Sequence, residues 1–172
     1  MNRGGAIIVM GAFAAIWWVI GTAQSGRGSL MMYAVGIAIS ALLVALDRSR
    51  GGRSATRDER KRRGRIVGIA SAAEGVTIFA GATVLARLGR RDLIAPAVAI
   101  IVGLHFLPLA RWLPAPIYYL TAGLLVAVGT VGAFIQDAAA RVLTICFGAA
   151  AVLWLSCGVV LLRADRRRIE QV

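Results

Sequence analysis

Hydrophobic residues along this chain occur in six long blocks rather than in the short alternating runs that are typical of strands. Each block approaches the roughly 20 apolar residues that an α-helix needs to span a bilayer. Because lipid offers no hydrogen-bond partners, each block is expected to satisfy its own backbone as a helix. The predicted spans are residues 5–22, 29–46, 66–86, 92–110, 116–135 and 140–162. The pattern therefore predicts an all-α integral membrane bundle of six transmembrane helices.

Polar residues concentrate between the second and third blocks, at residues 47–65. This segment holds nine basic and three acidic residues, a local charge of +6. Since basic residues are retained on the cytoplasmic side of membranes, we expect 47–65 to be a flexible cytoplasmic loop. Residues 163–172 carry four further arginines and fall on the same side, because an even number of spans separates the two segments. Both termini are then predicted to be cytoplasmic, an N-in/C-in topology.

Two predicted outer connections also carry charge. Three arginines within residues 87–91 fall in a predicted outer connection, which disagrees with the positive-inside rule. Asp92 offsets part of their charge. Asp137 and Arg141 lie four residues apart at the start of the sixth block. We expect these two to form an exposed ion pair, which contributes little to stability or function.

The composition favours a membrane location over a soluble basic protein. Apolar residues make up 59% of the 172 positions and charged residues only 16%, whereas soluble domains carry about 45–50% and 25%. The net charge of +12 would suggest nucleic acid in a soluble protein, but retention of arginine on the cytoplasmic side accounts for it here. We predict a single membrane domain over residues 1–172, in a bacterial cytoplasmic (inner) membrane, with the lipid bilayer and not nucleic acid as its partner.

The N-terminus resembles the start of a signal peptide, because Arg3 precedes an apolar run. That run continues to about Thr22 and has no clear small-x-small cleavage site before Ser25. We therefore expect it to be retained as the first spanning helix.

Two ionisable residues lie inside predicted spans. Glu74 belongs to the third block, where a carboxylate costs about 2.5–3.5 kcal/mol on insertion scales, and His105, the only histidine, belongs to the fourth. Counted from the predicted cytoplasmic ends of two antiparallel helices, Glu74 lies about 12 Å deep and His105 about 8 Å deep. The two side chains are therefore expected to approach within hydrogen-bonding or water-bridged distance.

Small and polar residues accompany Glu74 at helical spacing. Ser71, Thr77 and Gly81 recur with it every three or four residues, so they are expected to share one face that points into the bundle. Tyr118 or Tyr119 could reach the same region from the start of the fifth block. The predicted polar intramembrane site, opening to the cytoplasm, comprises Glu74, His105, Ser71, Thr77, Tyr118 and Tyr119.

The basic segment also offers contacts for anionic lipid headgroups, which are worth about 1 kcal/mol per basic residue near the surface. No phosphate-cradling G-x-x-x-x-G-K-[ST] pattern occurs there. The alternative is that the segment serves only as a topology signal. The residues predicted to contact headgroups are Arg57, Arg60, Lys61, Arg62 and Arg63.

Motifs for catalysis or metal binding are absent from the sequence. There is one histidine, no H-E-x-x-H, no G-x-S-x-G and no pair of closely spaced aspartates. Cys146 and Cys157 are separated by about 16 Å along one helix, too far for a disulfide, and their spacing is not that of a metal site. We therefore expect no enzyme activity, no catalytic residue, no metal and no cofactor, and we expect the cysteines to act as small apolar residues.

The stretch from Arg87-Leu88-Gly89 through His105-Phe106-Leu107-Pro108 to Pro116-Ile117-Tyr118-Tyr119 resembles a group of small uncharacterised bacterial multi-pass membrane proteins. The His-Phe-Leu-Pro run in a transmembrane helix is its most distinctive part. The resemblance implies a membrane location and carries over no functional residue.

Two functions stay open at this level. A small proton-linked transporter or channel would use Glu74 and His105 as a pair that titrates as a coupled unit. A non-transporting scaffold or accessory subunit would use the same residues as a packing contact between helices. Assembly with further copies or with another membrane protein is compatible with both functions, and the sequence identifies no partner.

Overall fold

A computed structural model of the chain is helical throughout its described elements, with no strand in that part. The structure describes residues 4–26, 28–49, 56–112 and 116–169, of which 4–6, 59, 60, 63 and 164–169 are described by their backbone alone. The six α-helices in the described residues are α1 (Gly4–Gln24), α2 (Leu30–Ser49), α3 (Arg57–Arg87), α4 (Ile94–Trp112), α5 (Ile117–Phe134) and α6 (Ala138–Ile169), and a short 3₁₀ helix (Arg91–Leu93) precedes α4. All six α-helices are long and apolar enough to cross a membrane. The predicted all-α fold with six such helices is confirmed.

The segment 47–65, predicted to be a flexible loop, is helical over much of its length. α2 continues to Ser49, and α3 already begins at Arg57, about two turns before its apolar part. Arg, Lys and Glu are good helix formers in water, so the loss of hydropathy does not end a helix. Asp58 in the first turn places negative charge where the helix dipole favours it. The loop prediction is therefore wrong for Arg57–Arg65, and residues 50–55 lie outside the described part.

The helices pack in the lateral order α2, α1, α6, α5, α4, α3. α4 packs extensively on α5, and α1 packs extensively on α6. A contact between α5 and α6 joins these two pairs. α2 flanks α1 and touches α6, whereas α3 flanks α4 and lies at the other end of the row. Within the described residues, α2 and α3, the two helices that the basic segment connects, therefore share no extensive contact.

Close approach of α4 and α5 depends on glycine. A Cβ atom at Gly129 would lie 2.7 Å from Cγ1 of Ile100 and 2.8 Å from the carbonyl oxygen of Pro96. At Gly103 it would lie 2.9 Å from Cγ2 of Val126. Small residues at these two positions let the helix backbones come together, which is how helices associate in lipid.

The buried core lies between α1, α4, α5 and α6. Leu125, Ile145 and Leu153 are fully buried, as are Cys146 and Cys157. Both cysteines are free. Both are buried in the core, as expected for small apolar residues, and the Cys157 thiol also donates to the carbonyl of Ile7 at 3.9 Å.

Consecutive packed helices run antiparallel. α1 also runs antiparallel to α6, because Ile7 contacts Cys157 and Gly21 contacts Cys146. The ends of α2, α4 and α6 therefore lie where α1, α3 and α5 begin. Basic side chains gather there, and we call it the basic end. Its exposed basic residues in the described part of the chain are Arg48, Arg57, Lys61, Arg62, Arg65, Arg111 and Arg163. The opposite end holds the α1–α2, α3–α4 and α5–α6 connections.

Candidate intramembrane polar site

Glu74 and His105 meet where α3 packs on α4. Oε2 of Glu74 lies 3.6 Å from Nδ1 of His105, and the two side chains are 5% and 10% exposed. The imidazole also faces the backbone carbonyl of Ala70, one turn before Glu74. The predicted approach of the two side chains is confirmed, at a distance just beyond that of a direct hydrogen bond.

The site lies deep in the apolar part of both helices. Glu74 is near the middle of the span Gly64–Arg87 of α3, and His105 lies in the span Arg91–Trp112 of α4. Ala70 is buried on the same face of α3 as Glu74, and its small side chain leaves room for the imidazole. The sequence around Glu74 therefore brings an ionisable pair together at a depth where water is scarce.

The second carboxyl oxygen of Glu74 is unsatisfied. Oε1 is buried and has no hydrogen-bond partner in the part of the chain that the structure describes. Buried polar atoms in folded proteins nearly always have a partner, so an exception calls for a physical explanation. A water molecule or a polar solute at Oε1 would supply the missing bond.

The prediction that Thr77 points into the bundle is wrong. Thr77 is exposed, and its hydroxyl donates to the carbonyl of Ala73 at 2.8 Å. Because α3 packs mainly on α4 in the described part of the chain, only a narrow arc of its surface is covered. At roughly 100° per residue, Thr77 and Ser71 lie about 60° to either side of Glu74. Ser71 is half-buried and borders the site.

Of the two tyrosines that could reach the site, the structure brings Tyr118 closer. Tyr118 is buried, and its ring lies 5.7 Å from that of Phe106, which in turn stands edge-on to His105 at 5.9 Å. Tyr119 is 52% exposed. Adjacent residues on a helix point about 100° apart, so the two rings cannot share a face. Tyr119 therefore lies away from the polar pair.

The predicted headgroup-binding residues lie at the basic end. Arg57, Lys61 and Arg62 are exposed on the first turns of α3. The side chains of Arg60 and Arg63 lie outside the described residues. Binding of headgroups by this cluster stays a prediction.

Arg141 is a residue whose role the sequence did not reveal. It is 6% exposed, and its Nη1 lies 3.3 Å from Oδ2 of Asp92, a residue that precedes α4. Nε also donates to the carbonyl of Ile135 at 2.9 Å. The predicted exposed pair with Asp137 is wrong, because Arg141 is buried and pairs with Asp92. Asp137 instead accepts a hydrogen bond from the backbone of Ala140 at 2.6 Å. An aspartate just before a helix is the usual N-cap, a signal that could have separated the two residues.

Sequence reasoning also missed a buried pair of hydroxyl groups. The Thr121 hydroxyl on α5 lies 2.7 Å from that of Ser156 on α6, and both side chains are buried. One hydroxyl must donate to the other, so the acceptor is free to donate to its own backbone carbonyl four residues earlier. The pair joins α5 to α6 with no unsatisfied group.

No protein-family model, curated protein or solved structure matches this chain. The resemblance to small bacterial multi-pass proteins therefore stays a prediction, and any function has to be argued from the contacts described above.

Proposed function

We propose that the protein is a small proton-linked transporter or channel in which Glu74 and His105 form the protonatable pair. The observation that supports this most directly is the buried contact between them, 3.6 Å long, with Oε1 of Glu74 lacking a hydrogen-bond partner among the described residues. A carboxyl group inside a spanning helix costs about 2.5–3.5 kcal/mol, and such groups commonly mark ion or proton pathways.

The packing of α3 supports a change of state at this pair. Two protonatable groups this close titrate as one unit, so adding or removing a proton changes the attraction between them. Because α4 is the main packing partner of α3 among the described residues, that attraction acts on a helix with few other contacts. Proton exchange would thus alter how α3 rests on α4, and a bound solute could be coupled to that movement.

In this proposal the basic end faces the cytoplasm of a bacterial cell, which gives an N-in/C-in protein. Its exposed arginines and Lys61 support that orientation through the positive-inside rule. At the opposite end, Asp92 offsets part of the positive charge, lying 3.5 Å from Arg90 and 3.3 Å from Arg141.

The test is proton flux through reconstituted protein. Vesicles containing a trapped pH-sensitive dye receive a pH gradient, with valinomycin and potassium to balance charge. We expect the wild-type protein to dissipate the gradient faster than protein-free vesicles, and Glu74→Gln to remove most of that excess.

Thr77→Val is the matched control, because Thr77 lies on the same helix but outside the contact with α4. It should retain the wild-type rate. A wild-type rate equal to that of protein-free vesicles, or full activity in Glu74→Gln, would refute the proposal.

One observation favours a non-transporting scaffold or accessory subunit instead. The site lies at a contact between two helices, and α3 leaves large apolar side chains exposed, among them Ile69, Val76 and Phe79. In that case the pair only holds α3 against α4, and the exposed face is free for lipid or a membrane partner. Glu74→Gln would then lower the thermal stability of the protein in detergent without any effect on proton movement.

A further inference from the structure

A groove between α1 and α2 is a second candidate for binding, separate from the Glu74 site. It is open along one side and has a volume of about 590 Å³. Its walls are mainly apolar, and neither Glu74 nor His105 contributes to them. The small residues that line it include Gly11, Ala12, Ala15, Ala41 and Ala45, and Arg48 lies at one end.

The groove has the length of one leaflet. On α2 it extends from Ile37 to Arg48, eleven residues apart in sequence, or about 16 Å of helix. Half of a roughly 30 Å hydrocarbon core is about 15 Å. Because Arg48 belongs to the last turn of α2, the groove covers the leaflet at the basic end.

The charge at its end determines which occupant fits. Arg48 is exposed and lies next to the last residue of the apolar span Leu30–Ser49, where a spanning helix would reach the headgroup region. Guanidinium groups bind phosphate through paired charge-assisted hydrogen bonds. A second apolar helix in the groove would cover Arg48 without offering it an anion, whereas a phospholipid supplies both an acyl chain and a phosphate.

We propose that this groove binds an anionic phospholipid from the leaflet at the basic end, with one acyl chain along the small residues and the phosphate on Arg48. This inference does not depend on proton transport. It assigns a defined site to Arg48, in contrast to a diffuse attraction between the basic residues of α3 and the membrane surface.

The test is native mass spectrometry of the full-length protein in detergent, titrated with palmitoyl-oleoyl phosphatidylglycerol at a few equivalents. We expect one lipid to remain bound to the wild type under conditions that strip the others. Arg48→Ala should weaken retention of that lipid about fivefold, the factor that corresponds to one basic residue near an anionic surface. Arg48→Lys should recover part of the retention, because it keeps the charge but loses the paired geometry.

Arg111→Ala is the matched control. Arg111 is also exposed in the last turn of a spanning helix at the basic end, but it is on α4 and does not line the groove. It should leave the tightly held lipid in place. Equal losses in Arg48→Ala and Arg111→Ala would show diffuse attraction and overturn the proposed site.

Ala41→Phe tests the acyl-chain part of the site, since it fills the groove and leaves Arg48 unchanged. The strongly held lipid should be lost in this variant as well. Undiminished retention in Ala41→Phe would contradict the proposal, and so would a wild-type dimer that this substitution splits, because a second copy would then be the occupant.

Discussion

At the scale of single residues, Arg141 joins two connections at the opposite end of the bundle. Its guanidinium group links the start of α6 to the carbonyl of Ile135 and to both the carbonyl and the side chain of Asp92. One side chain thereby ties together the connections that precede α4 and α6. Arginine suits this role because its donors are fixed in a plane and can serve several acceptors at once.

Arg141→Ala should lower the free energy of unfolding by about 1.5–3 kcal/mol, the range for hydrogen bonds that involve a charged group. Thermal unfolding in detergent would measure the loss. Arg90→Ala is the control, since Arg90 contacts the same aspartate but is 59% exposed, and surface pairs are worth about 0–1 kcal/mol. Similar losses in the two variants would mean that burial of Arg141 adds nothing.

The hydroxyl pair between α5 and α6 gives a second residue-scale prediction. Thr121→Val should cost about 0.6 kcal/mol, the mean for polar contacts between membrane helices, and at most about 1.7 kcal/mol. A double-mutant cycle with Ser156→Ala isolates the contact itself. Thr130→Val should change stability little, because Thr130 is exposed and donates only along its own helix. Additive effects of Thr121→Val and Ser156→Ala would contradict a direct bond.

At the scale of helices, the contact of α4 with α5 predicts different outcomes for two glycines of α5. Gly129→Ala places a methyl group against Ile100 and the backbone of Pro96, so we expect a loss of about 1–3 kcal/mol from overpacking. Gly123→Ala meets nothing within 4 Å, and we expect it to be neutral or to stabilise the helix by up to about 1 kcal/mol. Thermal unfolding measures the stability of both variants. If Gly123→Ala were the less stable of the two, α4 and α5 would not pack as described.

The spanning helices themselves could be predicted from hydropathy, but their full length could not. Apolar blocks report which residues prefer lipid, whereas a helix continues wherever its residues tolerate helical geometry, as Arg57–Arg65 does at the start of α3. The approach of Glu74 to His105 could be predicted from their similar depth below the ends of two consecutive antiparallel helices. The exposure of Thr77 depends on how many neighbours α3 has, and no pattern within α3 encodes that number.

At the scale of the whole molecule, the orientation in the membrane can be tested by labelling introduced cysteines, because the two native cysteines are buried and should not react. Cys146 and Cys157 are buried, so a membrane-impermeant maleimide should label only cysteines introduced at exposed positions. Lys61→Cys lies at the basic end, and Ala139→Cys lies at the opposite end. In intact cells we expect labelling of Ala139→Cys alone, with Lys61→Cys labelled only after the membrane is opened.

The reverse labelling pattern would invert the orientation and would place the lipid groove in the outer leaflet. Labelling of both variants in intact cells would show that the two ends do not lie on different sides of the membrane. Neither the lateral order of the helices nor the pairing of Arg141 with Asp92 could be predicted from the sequence, because both depend on contacts between distant residues.

The lateral order of the helices limits the shape of the bundle. Six helices in a straight row, at about 8–10 Å between axes, would separate α2 from α3 by roughly 40–50 Å. The eight residue steps from Ser49 to Arg57 can reach at most about 29 Å. At the basic end the row must therefore bend into a horseshoe whose gap lies between α2 and α3. The distance from the end of α2 to the start of α3 therefore cannot exceed about 29 Å. Lengthening the connection between Ser49 and Arg57 would allow the gap between these two helices to widen.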